Sequence, residues 1–342
     1  MKSRNGSHIC SKCYKIQCER ILIEELGSDM KLGVVMDPIE TINFKKDSTL
    51  AMMIEAQKRN HEIFYITPNS LFINSGISYA TTSNIEVRND PLDWFSLEEE
   101  KIIKLSELDA ILMRQDPPFN SDYIYNTYIL EMASREGVSV FNDPRSLRDC
   151  NEKVFASEFP QCCTKHLVTS NKQLLSDFVE EHRDTVIKPL DGMGGASIFR
   201  LKKNDPNLNV ILETITHHFT QKVMIQEYIP EISEGDKRVL LVNGQPMSAA
   251  IARIPAEGEL RGNLAAGASA VAKSLSERDM WICKEVGPSL VEKGLLLVGL
   301  DIIGDYLTEI NVTSPTCFKE YKELCDIDVA KTFIEAVEEL TP

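Results

Sequence analysis

The 342-residue chain has no uninterrupted apolar run of about 18 residues, so no membrane-spanning helix is indicated. Its first twenty residues, MKSRNGSHICSKCYKIQCER, lack the apolar h-region of a secretory signal peptide. A basic block is also missing. With 37 Lys and Arg against 52 Asp and Glu, the formal charge is -15, spread along the chain, which argues against nucleic acid or an anionic membrane as the main partner. An anionic ligand would need local cations or metals to hold it. The nine cysteines are scattered apart from the adjacent Cys162 and Cys163, unlike a small disulfide-dense secreted domain, and most read as reduced core thiols. No internal repeat or low-complexity block is visible. These absences predict a soluble cytoplasmic protein, and 43% hydrophobic content over this length allows two or three domains with cores of their own.

One group of cysteines stands apart. His8, Cys10, Cys13 and Cys18 hold a C-x2-C pair with two further soft ligands, half of a zinc pattern in a polar tail, and incidental residues of a disordered extension are the competing reading. Residues 1–29 thus read as an appendage, in which ERILIEELG can form a short helix ending at Gly27. From MKLGVVMD onward the order is regular. A strand at 32–36, a helix at about 48–59 capped by Asp47 and a strand at 63–66 give a βαβ unit and so a parallel pair. LDAILMR and VSVFN repeat it around a helix expected to begin at a Ser121 cap and to stop at Gly137; polar strands and a hairpin fill 71–105. NDPRSLRDCNEKVFASEF looks helical, and Pro160 marks a break. Asn243-Gly244 in KRVLLVNGQPMSAAIARIP is the type I′ signal between two apolar strands. The Gly- and Ala-rich residues 255–274 read as a long loop, Ser276 as the cap of a helix interrupted at Gly287-Pro288, and DVAKTFIEAVEEL as an amphipathic helix.

Two charges lie in apolar runs and need partners: Lys188 in VIKPLDGMGGASIFR and Asp301 in LLLVGLDIIG. Gly192, Gly194 and Gly195 follow Lys188 between two expected strands. Bare backbone there can approach an anion, although the tetrad is neither a Walker A loop nor a dinucleotide fingerprint, and taken alone it reads first as a hairpin turn. In LDIIGDYLTEIN, Glu309 and Asn311 share a face by their i, i+2 spacing. With Asp301 they make a hard oxygen set suited to magnesium. A three-residue turn at 304–306 puts Asp301 on that face; a two-residue turn does not. The competing reading is the polar face of an edge hairpin.

CNEKVFASEF, VIKPLDGMGGASIFRLK, QEYIPEISEGDKRVLLVNGQP, ARIP, RGNLAAG and VGLDIIGDYLTEINVTSPT, with MKLGVVMDPI and MRQDPPF before them, together resemble the prokaryotic glutathione synthetase family of ATP-grasp ligases. The resemblance runs from about Met30 to near the C-terminus. It implies an α/β (pre-ATP-grasp) domain at 30–150, then a two-subdomain α+β ATP-grasp fold, with a lid subdomain at 151–230 and a C-terminal subdomain at 231–342. By the same resemblance Lys153 and Lys188 hold ATP phosphates under the Gly192, Met193, Gly194, Gly195 loop. Gln226, Glu227, Tyr228 and Ile229 read adenine, and Asp236 extends the nucleotide pocket. Asp301, Glu309 and Asn311 match ligands of two Mg²⁺ ions, for which Mn²⁺ can substitute. That match puts Asp301 on the shared face.

The implied reaction joins γ-glutamylcysteine to glycine through an acyl phosphate, with ATP as co-substrate and ADP and phosphate as products. Arg253 would stabilise the acyl phosphate and the oxyanion, Arg261 would enter the site as loop 255–274 closes, and Arg114, Asn311, Ser314 and Thr316 would hold the dipeptide. LAAG is followed by Ala268 and Ser-Ala where the family usually has a glycine pair. A homo-tetramer is implied in the same way. The alternatives are another ATP-grasp carboxylate–amine ligase, joining D-alanines or adding glutamate to a protein tail, and a non-catalytic nucleotide-binding regulator. A zinc-dependent scaffold built on the N-terminal cysteines is a third.

Overall fold

The computed structural model describes residues 29–192, 194–259, 262 and 267–342. The N-terminal tail with its cysteines, Met193 and Arg261 lie outside them.

Three sheets follow one another along the chain. The first contains β1 (Lys31–Val35), β2 (Glu62–Ile66), β3 (Leu71–Asn74), β4 (Ile77–Val87), β5 (Phe95–Leu97), β6 (Lys101–Lys104), β7 (Ala110–Met113) and β8 (Ser139–Phe141). Its order is β3-β4-β2-β1-β7-β8, with β5 and β6 also paired to β4. The expected βαβ units are present: β1 lies parallel to β2 and β7, and β7 parallel to β8. Helix Ser48–Lys58 starts where Asp47 accepts the Leu50 N–H, as its sequence predicts. The helix after β7 spans Ser121–Arg135, but its cap is Asn120, whose side chain accepts from the Tyr123 N–H. Beyond β8 the long helix expected from NDPRSLRDCNEKVFASEF is broken. A six-residue helix, Pro144–Asp149, is followed by a 3₁₀ turn at Phe155–Glu158, and Asn151 accepts two N–H groups between them.

The second sheet holds β9 (His166–Thr169), β10 (Asp184–Pro189), β11 (Phe199–Lys202) and β12 (Val223–Glu227), all antiparallel in the order β11-β10-β12-β9. With helices Lys172–His182 and Leu208–Ile215 it has a separate core, including Leu175, Ile187, Leu212 and Ile225. The third holds β13 (Asp236–Val242), β14 (Gln245–Pro246), β15 (Ala249–Ile254), β16 (Ser269–Ser274), β17 (Leu297–Ile303) and β18 (Tyr306–Asn311), in the order β16-β15-β13-β17-β18 with β14 on β13. Asn243 and Gly244, at φ 48° and 73°, make the expected tight turn. The first and third sheets share cores: Val34 and Leu112 cluster with Leu240, Phe333 and Val337.

The third sheet revises three expectations. Residues 269–274, read as loop, are a strand paired with the whole of β15. Helix Glu277–Glu292 runs through Gly287-Pro288 without a break. Gly287 is there for close packing, since a Cβ on it would lie 2.6 Å from the Gly244 carbonyl oxygen. A helix at Phe318–Cys325, not foreseen, covers the sheet before the amphipathic helix Val329–Leu340. The six described cysteines are unpaired, as expected of core thiols.

Candidate functional site

β17 and β18 fix the geometry of the site. Their turn is the two-residue kind, Gly304-Asp305, with Ile303 opposite Tyr306 and Ile302 opposite Leu307. That register alone would send Asp301 and Glu309 to opposite faces. A β-bulge at Thr308 corrects it, so that Asp301 pairs with Glu309 and Gly299 with Asn311. The shared face is real, and the extra residue sits in the strand instead of the turn. On the neighbouring β13, Asp236 and Arg238 stand two apart on one face, with Arg253 opposite Asp236 and Asp301 opposite Arg238.

This polar face forms one side of a cavity of about 360 Å³, whose other walls are the second sheet and the Asp116-Pro117 corner of the first. Lys188, near the end of β10, is buried, and its Nζ donates to the Thr308 carbonyl at 3.2 Å and lies 3.5 Å from Glu309 Oε1. Lys153 arrives from the segment before the second sheet; its Nζ donates to the Gly192 carbonyl at 2.8 Å and stands 3.6 Å from the same Glu309 oxygen. Burial pushes the Lys188 ammonium below the ordinary lysine range, opposed by Glu309. Burial would raise the Glu309 carboxyl, yet Lys153 and Lys188 hold it below the usual range.

A second charge cluster adjoins this one. Arg238 grips Asp301 through Nε at 2.5 Å and Nη2 at 3.0 Å, and Arg253 Nη2 reaches Asp301 at 2.9 Å and Asp236 at 2.5 Å. Burial alone would raise Asp301, but the two guanidinium groups hold it far below the carboxylate range. Burial, with Asp301 nearby, pushes Asp236 up to about 6 in spite of Arg253. Its Oδ1 is buried, with no hydrogen-bond partner among the described residues.

The remaining candidates divide. Gly192, Gly194 and Gly195 line the cavity, the last two at φ 64° and 77°, and Gln226, Tyr228, Ile229, Asn311, Ser314 and Thr316 line it too. The Glu227 carboxylate turns aside, accepting the Lys165 N–H and lying 2.9 Å from His182 Nδ1. Arg114 is buried behind the wall, donating to Thr49 Oγ1 at 3.1 Å and the Pro315 carbonyl at 2.9 Å. Met193 and Arg261 are outside the described residues. Sequence reading missed Arg238, although a charge inside KRVLLV is the same signal that exposed Lys188. It also missed Arg200, which lines the cavity, pairs with Asp184 and stacks its guanidinium 3.5 Å above the Tyr228 ring.

Models of two domains match nearly the whole described chain: prokaryotic glutathione synthetase, N-terminal domain, over residues 30–148, and prokaryotic glutathione synthetase, ATP-grasp domain, over 152–326. The chain belongs to the prokaryotic glutathione synthetase family. Relatives within it include the glutathione synthetases of Vibrio parahaemolyticus, 54% identical over 90% of this chain and 98% of that protein, and Pseudomonas aeruginosa, 54% identical over 90% and 97%. That of Vibrio cholerae is 55% identical over 90% and 97%. Among solved structures the fold resembles the D-cycloserine synthetase DcsG, with a TM-score of 0.65 at 13% identity over 91% of this chain and 100% of that one. It also resembles the ATP-grasp ligase PsnB complexed with minimal precursor, with a TM-score of 0.61 at 15% identity over 92% and 100%. The glutathione synthetase fold is therefore an N-terminal α/β domain followed by an ATP-grasp domain, the fold of an ATP-dependent ligase.

Among the described residues no three His, Cys, Asp or Glu side chains form a metal set of their own. Asp301, Glu309 and the Asn311 amide still fit a hard divalent cation of this glutathione synthetase family. They are oxygen donors on one sheet face: Asn311 spends its Nδ2 on the Gly299 carbonyl at 3.0 Å, leaving its oxygen for a ligand, while Asp301, whose two oxygens are held by Arg238 and Arg253, and Glu309, whose Oε1 faces both lysines, would share their lone pairs with the ion.

Proposed function

We propose that the protein makes glutathione from γ-glutamylcysteine and glycine at the expense of ATP. The observation behind this reading is the alternation of buried cations and oxygen donors around one cavity, in a chain of this family. Lys153 and Lys188 bind the ATP phosphates, and the glycine turn lies over them. The purine occupies the end walled by Val186, Tyr228 and Ile229, read by backbone groups of residues 226–229, with Asp236 Oδ1, unpartnered among the described residues, offered to a hydroxyl. Ser314, Thr316 and Asn311 hold the dipeptide, and Arg114 sets their loop through the Pro315 carbonyl.

The dipeptide's cysteinyl carboxylate attacks the γ-phosphate, the bond to ADP breaks, and an acyl phosphate forms. Glycine's amine then adds to the acyl carbon, phosphate leaves and the nitrogen loses its proton. No protein nucleophile is needed, since such transfer is carried by positioning and charge. Arg253, with Arg238 beside it, stabilises the charge that develops on phosphate and acyl oxygen. Two Mg²⁺ ions held by Asp301, Glu309 and Asn311 would neutralise phosphate charge. By resemblance, Arg261, within the segment 255–274 expected from the sequence as a lid, would help exclude water from the acyl phosphate. A lid unit at 151–230, a cytoplasmic location and a homo-tetramer complete the proposal on the strength of resemblance.

The deciding measurement is ADP release with γ-glutamylcysteine, with and without glycine and against D-alanine. Glycine-dependent turnover yielding glutathione is expected; its absence, or a preference for D-alanine, would favour another ATP-grasp ligase.

A further inference from the structure

The carboxylate of Glu152, next to the phosphate lysine, is not absorbed by this chemistry. One oxygen takes three hydrogen bonds: Oε1 accepts from Val312 N–H at 3.1 Å, Thr313 N–H at 3.2 Å and Thr313 Oγ1 at 2.8 Å. The Glu152 carbonyl accepts the Ile310 N–H at 2.9 Å. These bonds have a topological cause. β18 is the last strand of its sheet and ends at Asn311, so the next two N–H groups have no strand to pair with. On the opposite side of the segment, the buried Asn142 Nδ2 donates to the Val312 carbonyl at 2.7 Å. The side chain lines both the main cavity and a small one beside it. Burial pushes its carboxyl up while the Thr313 bonds oppose the shift.

Two adjacent residues thus reach three parts of the site. Lys153 touches the glycine turn and Glu309; Glu152 holds the start of the segment that carries Ser314 and Thr316. We propose that Glu152 is a positioning residue that fixes the carboxylate-substrate loop relative to the transferred phosphoryl group. The inference rests on the reading of residues 314–316 as the dipeptide site. It requires the acceptor oxygen of Glu152 and not its charge. An amide there still accepts the three bonds, whereas a methyl group leaves two buried N–H groups and a hydroxyl unpaired.

The test is steady-state kinetics of E152A, E152Q and T313V with glycine saturating, together with the ratio of ADP released to glutathione formed. E152A should raise the KM for γ-glutamylcysteine about tenfold or more and release ADP in excess of glutathione, with the KM for ATP within about twofold. T313V, which removes one bond, should move the same quantities less, and E152Q should stay within about threefold of wild type. If E152A does not fold, E152Q and T313V decide. An unchanged dipeptide KM in T313V and E152A, an equal rise for ATP, or an E152Q as defective as E152A with an altered pH profile would overturn the proposal; the last would make the carboxylate a proton carrier. Wild-type enzyme without glycine-dependent turnover would instead defeat the functional reading, a separate outcome.

Discussion

Glu309 stands within 3.6 Å of two ammonium groups, and that sharing decides what single substitutions do. Lys188→Ala removes a cation from the proposed phosphate site but leaves Glu309 paired with Lys153. ATP affinity should fall at least about tenfold while the fold survives, measured by calorimetric titration beside a thermal melt. The Lys153→Ala, Lys188→Ala double variant strands a half-buried carboxylate, so its cost should stay below the about 3–5 kcal/mol of breaking a fully buried pair. Its loss in denaturant unfolding should exceed the sum of the single losses, and simple additivity would refute the shared-partner account. Lys188 and Asp301 were legible because a lone charge in an apolar run has few explanations. Arg238 obeys the same rule and was obscured by its neighbours, since Asp236-Lys237-Arg238 reads as a solvated charge run until alternation sends Lys237 to Asp279 on the other face.

Elements were legible where one local signal dominated, as at the Asp47 cap, the Asn243-Gly244 turn and the βαβ periodicity. They were not where a partner outvoted the local signal. β16 is serine, alanine, valine and lysine, a poor strand by composition, and exists because β15 offers it a full ladder. The Thr308 bulge is invisible in sequence, since it is a relation between two strands. Gly287-Pro288 reads as a helix break, yet the helix continues because the missing side chain lets it lie against the 243–244 turn. Gly287→Ala should therefore destabilise the protein by about 1–3 kcal/mol, the usual cost of overpacking, despite alanine's better helix propensity. A melt that rises instead would show that the turn can give way.

At the scale of the molecule the second sheet is the part with a core to itself, while the first and third are packed into common ones. Opening should follow that division. Hydrogen exchange should find the amides of residues 190–200 protected when Mg²⁺ and a non-hydrolysable ATP analogue are added, with β1, β7 and β17 unchanged; uniform protection across all three sheets would count against a separately moving lid. The packing of the first and third sheets has a further result. Helix Val329–Leu340 lies on helix Ser48–Lys58, where Arg59 Nη2 meets Glu338 at 2.5 Å and the buried His61 Nε2 meets it at 2.9 Å. A chain emerging from the ribosome makes the first of these helices some 270 residues before the second. The N-terminal unit must wait that long with an apolar flank uncovered, so its native state is reached only once residues 329–340 have been translated.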